Sequence, residues 1–184
     1  MSHPKPRKSA DIARVISRRR EQVVTAQETW ALVRRVLLLA VVDYLLLTQV
    51  FLITQVEGQG MFPAVKDGDL AMVYRLQGSY ARNDVVAYQA EGQRYFGRII
   101  AQGGDEVQID TTGTLLVNGL IQTGEILFPT NTRDGESYRY VVPEGCVYVL
   151  GDYRTQTVDS RDFGAISLDD VEGKLITILR RRGL

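Results

Sequence analysis

The sequence is poor in the side chains that bind soft metals or form disulfides. Its 184 residues include one cysteine, Cys146, and one histidine, His3. A single cysteine excludes a disulfide within the chain, and one Cys with one His supplies too few ligands for a zinc-type site. We therefore expect neither a bound metal nor a cofactor.

The chain also lacks net charge, but this average hides a strong asymmetry. Residues 1–35 carry nine Lys or Arg against three acidic residues, while the formal net charge of the whole chain is zero. A basic arm of this kind fits either a nucleic-acid-binding segment or a solvated cytoplasmic tail. The segment that follows favours the tail, so we expect no nucleic acid partner.

A long apolar run, Val36–Val56, follows the basic segment. It has about the ~20 residues that a helix needs to cross a bilayer. Arg34 and Arg35 precede it, and basic residues stay on the cytoplasmic side. The sequence thus predicts a cytoplasmic tail at 1–35, a transmembrane helix at 36–56 and an extracytoplasmic domain at 57–184, in a single-pass protein of the cell membrane.

Beyond residue 57, short apolar or alternating runs are separated by turn signals, which is typical of β-strands. The pair Asn118-Gly119 between two such runs is a strong signal of a two-residue hairpin. No helical period of useful length appears. The sequence predicts an all-β domain with antiparallel strands, Greek-key-like or barrel-like, with residues 129–140 as a surface excursion.

Two glycine-containing segments stand out in this domain. The first, Val56–Ala64, contains Gly58 and Gly60, which lack a Cβ and allow close approach of another chain. The second, 95–107, is a strand that runs into a glycine turn. Taken alone, the first segment is better explained as a glycine-rich entry loop into a β domain.

A third segment, 151–164, is dense in Asp, Arg, Ser and Thr and follows an apolar strand. Such a loop is buried only when its polar groups satisfy one another. We expect Asp152 to pair with Arg154, and Asp159 with Arg161, so that the loop forms a rigid shelf.

With these three segments in view, the chain resembles the type I signal peptidases, membrane-anchored serine proteases that remove signal peptides. The family's Gly-x-Ser-Met-x-Pro-Thr corresponds to Gly58-Gln-Gly-Met-Phe-Pro-Ala64. Its Lys-Arg motif corresponds to Gly97-Arg98, and its Gly-Asp-Asn-Arg-x-x-Ser-x-Asp-Ser-Arg-x-x-Gly to residues 151–164. The resemblance implies a signal-peptidase-like β domain after one transmembrane helix.

The departures from the family pattern bear on function. The resemblance places the nucleophilic serine at Gly60 and the general-base lysine at Gly97, and glycine supplies neither a hydroxyl nor an amine. We therefore expect no catalytic residues. The remaining matches predict a binding groove and a structural shelf. The groove residues are Gly58, Met61, Tyr95 and Phe96; the shelf residues are Asp152, Arg154, Thr157, Asp159, Ser160 and Arg161.

The resemblance leaves two functions open. In the first, the chain is a non-catalytic accessory protein or chaperone that binds extended segments of secreted proteins, similar to proteins that assist pilus assembly in Gram-positive bacteria. Its partners are then a secreted or pilin segment and the membrane bilayer. In the second, the chain is an active signal peptidase, a serine endopeptidase with displaced catalytic residues.

Overall fold

The computed structural model describes residues 7–122 and 128–180, with side chains in 28–122 and 128–180. The chain divides into two compact units, one ending at Thr48 and one beginning at Gln49. Helix α1 extends over Arg7–Val50, so residues 7–35 of the basic segment and residues 36–50 of the apolar run form one continuous helix. In residues 7–122 and 128–180, no helix is both long enough and apolar enough to cross a membrane.

The predicted helix at 36–56 differs from the observed one at its C-terminal end. Helix α1 ends at Val50, and strand β1, Phe51–Gln55, follows at once. Strand β1 pairs along its whole length with β2, from Phe51 opposite Tyr74 to Gln55 opposite Leu70. Because this pairing satisfies the backbone of 51–55, the last residues of the apolar run belong to the β domain.

The second unit contains two antiparallel sheets, which confirms the prediction of a mostly β, antiparallel domain. The strands after β1 are β2 Leu70–Tyr74, β3 Val85–Ala90, β4 Gln93–Gln102, β5 Glu106–Ile109, β6 Leu115–Val117, β7 Leu120–Ile121, β8 Tyr138–Val141, β9 Cys146–Leu150, β10 Ile166–Ser167 and β11 Val171–Leu179. A short helix, α2 Ser160–Phe163, and a 3-10 turn, Leu168–Asp170, lie between β9 and β11.

The larger sheet has the strand order β1-β2-β11-β3-β4-β9-β10, and the smaller one β7-β6-β5-β8. The predicted hairpin is present, with Val117 opposite Leu120 and positive φ at both Asn118 and Gly119. Strands β3, β4 and β9 are neighbours at the centre of the larger sheet. This placement puts the predicted lysine position, Gly97 on β4, between two buried strands.

Three apolar clusters form the core of the domain. The first lies between the two sheets and includes Tyr148 and Leu150. The second is on the other face of the larger sheet, where Tyr88, Ile99 and Val149 pack together. The third packs the loop after β1 against the sheet. The candidate site lies where this loop meets the segment that follows β9.

Candidate functional site

The loop after β1 is held in place by its own backbone. Val56 N donates to Asp69 O at 2.8 Å, and Gly68 N donates back to Val56 O at 2.9 Å. Gly58 N donates to a carboxylate oxygen of Asp67 at 2.8 Å. Gly58 has a φ of 83°, which explains why glycine suits this turn. The loop therefore presents Gly60 in a fixed position.

Gly60 meets the segment after β9 at very short range. Tyr153 N donates to Gly60 O at 2.9 Å. A Cβ on Gly60 would lie 2.9 Å from Thr157 Oγ1, and a Cβ on Gly151 would lie 2.6 Å from Gly60 O. Real Cβ atoms do not approach other heavy atoms this closely. The hydroxyl of Thr157 thus lies beside the place where a side chain at position 60 would begin.

The space next to Gly97 is also filled. A Cβ on Gly97 would lie 2.4 Å from Val149 Cγ1 and 3.3 Å from Tyr88 Cε1. Both side chains are fully buried, and the Tyr88 hydroxyl has no hydrogen-bond partner among the described residues. Burial raises the pKa of this phenol above its ordinary value, so it stays protonated. Val149 and Tyr88 therefore occupy the space that a lysine side chain at position 97 would need.

The two amines of the described β domain lie elsewhere. Lys174 Nζ forms an ion pair with Asp84 Oδ1 at 2.7 Å. Lys66 Nζ lies 6.0 Å from the ring centre of Phe62, at the distance of a cation–π contact. Neither is paired with Thr157, whose hydroxyl instead contacts Val158 O at 3.3 Å. A hydroxyl–amine pair is therefore absent from the described hydrogen bonds of this region.

The predicted groove residues do not share one surface. Met61 is buried and packs in the same apolar cluster as Phe96. Tyr95 belongs to the cluster on the opposite face of β4, where it stacks on Tyr88. Gly58 is exposed, and nothing lies within 4 Å of a Cβ placed on it. Neighbouring residues of a strand point to opposite faces, which is why Tyr95 and Phe96 separate.

One of the two predicted ion pairs is present in the shelf segment. Arg161 donates to Asp159 through Nε at 2.9 Å and Nη2 at 2.8 Å, and the two side chains are only 3% and 1% exposed. Asp159 is also the N-cap of α2 and accepts from the backbone of Gly151 at 3.2 Å. Ser160 Oγ accepts from Val149 N at 2.9 Å. These contacts fasten the segment to β9.

The predicted Asp152–Arg154 pair is wrong. Asp152 accepts two hydrogen bonds from Arg98 on β4, at 2.8 and 2.6 Å. Arg154 is buried and donates to Thr130 Oγ1 at 2.7 Å, while its Nε has no partner among the described residues. Burial lowers the pKa of Arg154 to about 10. Arg98 and Asp152 are 54 residues apart in the sequence, so local spacing could not predict their pairing.

Residues 130–133, predicted as part of a surface excursion, lie against the shelf. Thr130 is buried under Arg154, and Arg161 Nη1 donates to Asn131 O at 2.8 Å. Arg133 Nη2 donates to Thr157 O at 2.5 Å and forms an ion pair with Asp162. The prediction is also wrong for residues 138–140, which form strand β8 with Val141 and pair with β5.

A row of aromatic rings beside Gly60 was missed in the sequence. The Tyr153 ring stacks on Phe128 with a centroid distance of 4.4 Å and contacts Phe62 at 6.0 Å. Tyr153 stands where the resemblance has asparagine. This departure from the motif could have indicated the row of rings, because a large aromatic ring in a glycine-rich loop needs apolar neighbours. In 28–122 and 128–180, no group of three or more His, Cys, Asp or Glu could hold a metal ion.

Comparisons with known proteins agree with the motifs. Residues 29–179 match the family described as "Signal peptidase, peptidase S26". The "Signal peptidase I" of Bacillus caldolyticus is 31% identical over 136 residues, which cover 65% of this chain and 74% of that protein. The "Signal peptidase IB" of Staphylococcus aureus is 31% identical over 140 residues, covering 65% and 73% respectively. A crystal structure of a signal peptidase I from Enterococcus faecalis is 28% identical, with a TM-score of 0.47, and covers 53% of this chain and 97% of that one.

Proposed function

Since this chain belongs to the type I signal peptidase family, we propose that it is a non-catalytic member that holds an extended segment of a secreted protein. The observation that carries the proposal is the filling of both dyad positions. Thr157 lies beside Gly60, and Val149 and Tyr88 lie in front of Gly97. Removing the members of a catalytic unit leaves binding without cleavage.

Binding of extended chain needs only a fixed backbone and neighbouring side-chain surfaces. The hydrogen bond from Tyr153 to Gly60 and the buried Asp159–Arg161 pair provide a fixed backbone. Phe62, 37% exposed, offers an apolar surface next to Gly60. We place the bound segment along this surface rather than over Met61, because Met61 is buried.

For the partner we propose a secreted protein of pilin type, in an accessory role during pilus assembly. The support is the resemblance of this chain to dyad-deficient accessory members of the family. The glycine at both dyad positions fits a protein that retains a peptide instead of releasing two products.

We propose that the chain works at the cell membrane, with its N-terminus in the cytoplasm and the β domain outside. Apolar side chains are exposed on every side of the apolar part of α1, among them Leu37, Leu38 and Leu39. In the β domain, Ile53 and Leu70 share the outward face of β1 and β2, since Ala71 and Val73 are buried on the other face. Lipid is a suitable environment for such surfaces. Protease added to intact protoplasts should degrade the β domain, whereas its full protection would contradict this orientation.

The binding claim is tested with a fluorescent precursor peptide that spans the signal-peptide cleavage region of a secreted protein. Full-length protein in detergent should raise its anisotropy in a saturable way. Phe62→Ala should weaken binding by roughly fivefold or more, as loss of an aromatic contact typically costs about 1 kcal/mol or more. Leu120→Ala, which removes a more exposed side chain in the other sheet, is the matched control. Absence of saturable binding, or equal effects of both changes, would contradict the proposal.

The alternative, an active peptidase with a displaced nucleophile, has one observation in its favour. The Thr157 hydroxyl lies 2.9 Å from the place of a serine Cβ at position 60. Under this alternative, Thr157→Ser should retain cleavage and Thr157→Val should abolish it. Under our proposal, neither variant nor the parent protein cleaves.

A further inference from the structure

A separate cavity of about 590 Å³ lies beyond the C-terminal end of β4, away from Gly60 and Gly97. The loop after β2, the start of β9 and the turn before β11 enclose it. Its volume is within the range of pockets that bind small ligands. No part of the proposed peptide-holding function uses this cavity.

Polar groups predominate in the lining of the cavity, which includes charged side chains of both signs. Val147 and Val171 are buried beneath it, at the starts of β9 and β11. The walls are fixed by hydrogen bonds: Gln102 Nε2 donates to Tyr80 O, and Leu168 N donates to Gly145 O at 2.9 Å.

Two residues after β2 supply hydrogen-bond donors to the cavity. Arg75 follows β2, and Tyr80 lies five residues further along the same loop. Among the described residues, the Arg75 guanidinium forms no ion pair within 4 Å, although its charge contributes to lowering the pKa of Glu172, and the Tyr80 hydroxyl has no hydrogen bond. Both groups can donate hydrogen bonds to a carboxylate.

The turn before β9 supplies an acceptor. Glu144 also lines the cavity, and its carboxylate has no hydrogen bond or ion pair among the described residues. A Cβ on Gly103 would lie 2.9 Å from Glu144 Cα and 3.0 Å from its Oε2, so the glycine permits this close approach. An ammonium group is the natural partner of such a carboxylate.

We propose that this cavity binds a short zwitterionic peptide with free ends. Its carboxylate binds Arg75 and Tyr80, and its ammonium binds Glu144. The cavity is thus a second peptide site, which binds the two charged ends of a small peptide.

Calorimetric titration of the full-length protein in detergent with the dipeptide Ala-Leu tests the affinity. The free-ended dipeptide should bind in a saturable way, and its N-acetylated, C-amidated form should not. Arg75→Ala and Glu144→Gln should each weaken binding by roughly tenfold or more, because the first removes a hydrogen bond to the carboxylate and the second removes the negative charge that pairs with the ammonium. Arg139→Ala, which changes an exposed arginine of β8, is the matched control and should bind as the parent does.

Alkylation of Cys146 tests the location. This cysteine is half-buried, lines the cavity and is the sole thiol of the chain. Ala-Leu should slow its reaction with iodoacetamide, while the capped dipeptide should leave the rate unchanged. Equal binding of the capped form, full affinity in Arg75→Ala, absent binding, or binding without protection of Cys146 would each overturn the proposal. Because the readouts do not involve the precursor peptide, they are independent of the function proposed above.

Discussion

Replacement of Gly97 by lysine tests whether the space of the general base is filled. A Cβ at position 97 would lie 2.4 Å from Val149 Cγ1, whereas carbon atoms in contact are usually about 3.5–4.0 Å apart. Val149 must therefore move by about 1 Å or more, and it is fully buried between β4 and β10. Overpacking of this kind typically costs about 1–3 kcal/mol.

For a domain of this size, that cost corresponds to a decrease in Tm of roughly 3–12 °C. Thermal melts followed by circular dichroism measure it in the full-length protein. Gly78→Lys is the control, because nothing lies within 4 Å of a Cβ there. In a Val149→Ala background, the same Gly97→Lys change should be less destabilising, by about 1 kcal/mol, since the two sites contact each other. An unchanged Tm in both backgrounds would refute the inference that Val149 closes this space.

Two further predictions concern the stability of the β domain. Asp159→Ala should reduce the free energy of unfolding by about 3–5 kcal/mol in urea titrations, because it leaves the buried Arg161 without its carboxylate partner. Asp169→Ala, which removes an exposed carboxylate, is the control and should have little effect. Equal effects of the two changes would contradict a buried pair. The hydrogen bond from Arg94 lowers the pKa of Glu172, so this pair stabilises the fold above the unfolded-state pKa of about 4.3 and its contribution is lost as the pH falls below that value. Glu172→Gln should therefore flatten the loss of stability on acidification, and an unchanged pH profile would show that the pair contributes nothing.

The sequence predicted the strands where the local signal agrees with the tertiary structure. Asn118 and Gly119 both have positive φ, as the two-residue hairpin requires, and the flanking runs pair as expected. Strand β1 was missed because it continues an apolar run that also suits a helix. Its identity depends on pairing with β2, which lies fifteen or more residues further along the chain.

The candidate site could be predicted only in part. The motifs identified Gly60, Gly97 and the shelf segment, and the local Asp159–Arg161 pair followed from short spacing. The bond between Arg98 and Asp152 depends on the register of β4 and β9, which no local pattern reveals. The packing of Val149 against Gly97 depends on the same register. The sequence therefore predicted glycine at the two positions of the family's dyad, but only the structure shows which side chains lie next to them.

The central claim is that the filled dyad positions make this chain non-catalytic. The most direct test is mass spectrometry of a signal-peptide precursor incubated with the purified full-length protein, with the Bacillus caldolyticus relative as the positive control. We expect an intact precursor with this chain and two defined fragments with the relative. Cleavage at a single site that persists through purification and is abolished by Thr157→Val would instead show that this chain is an active peptidase.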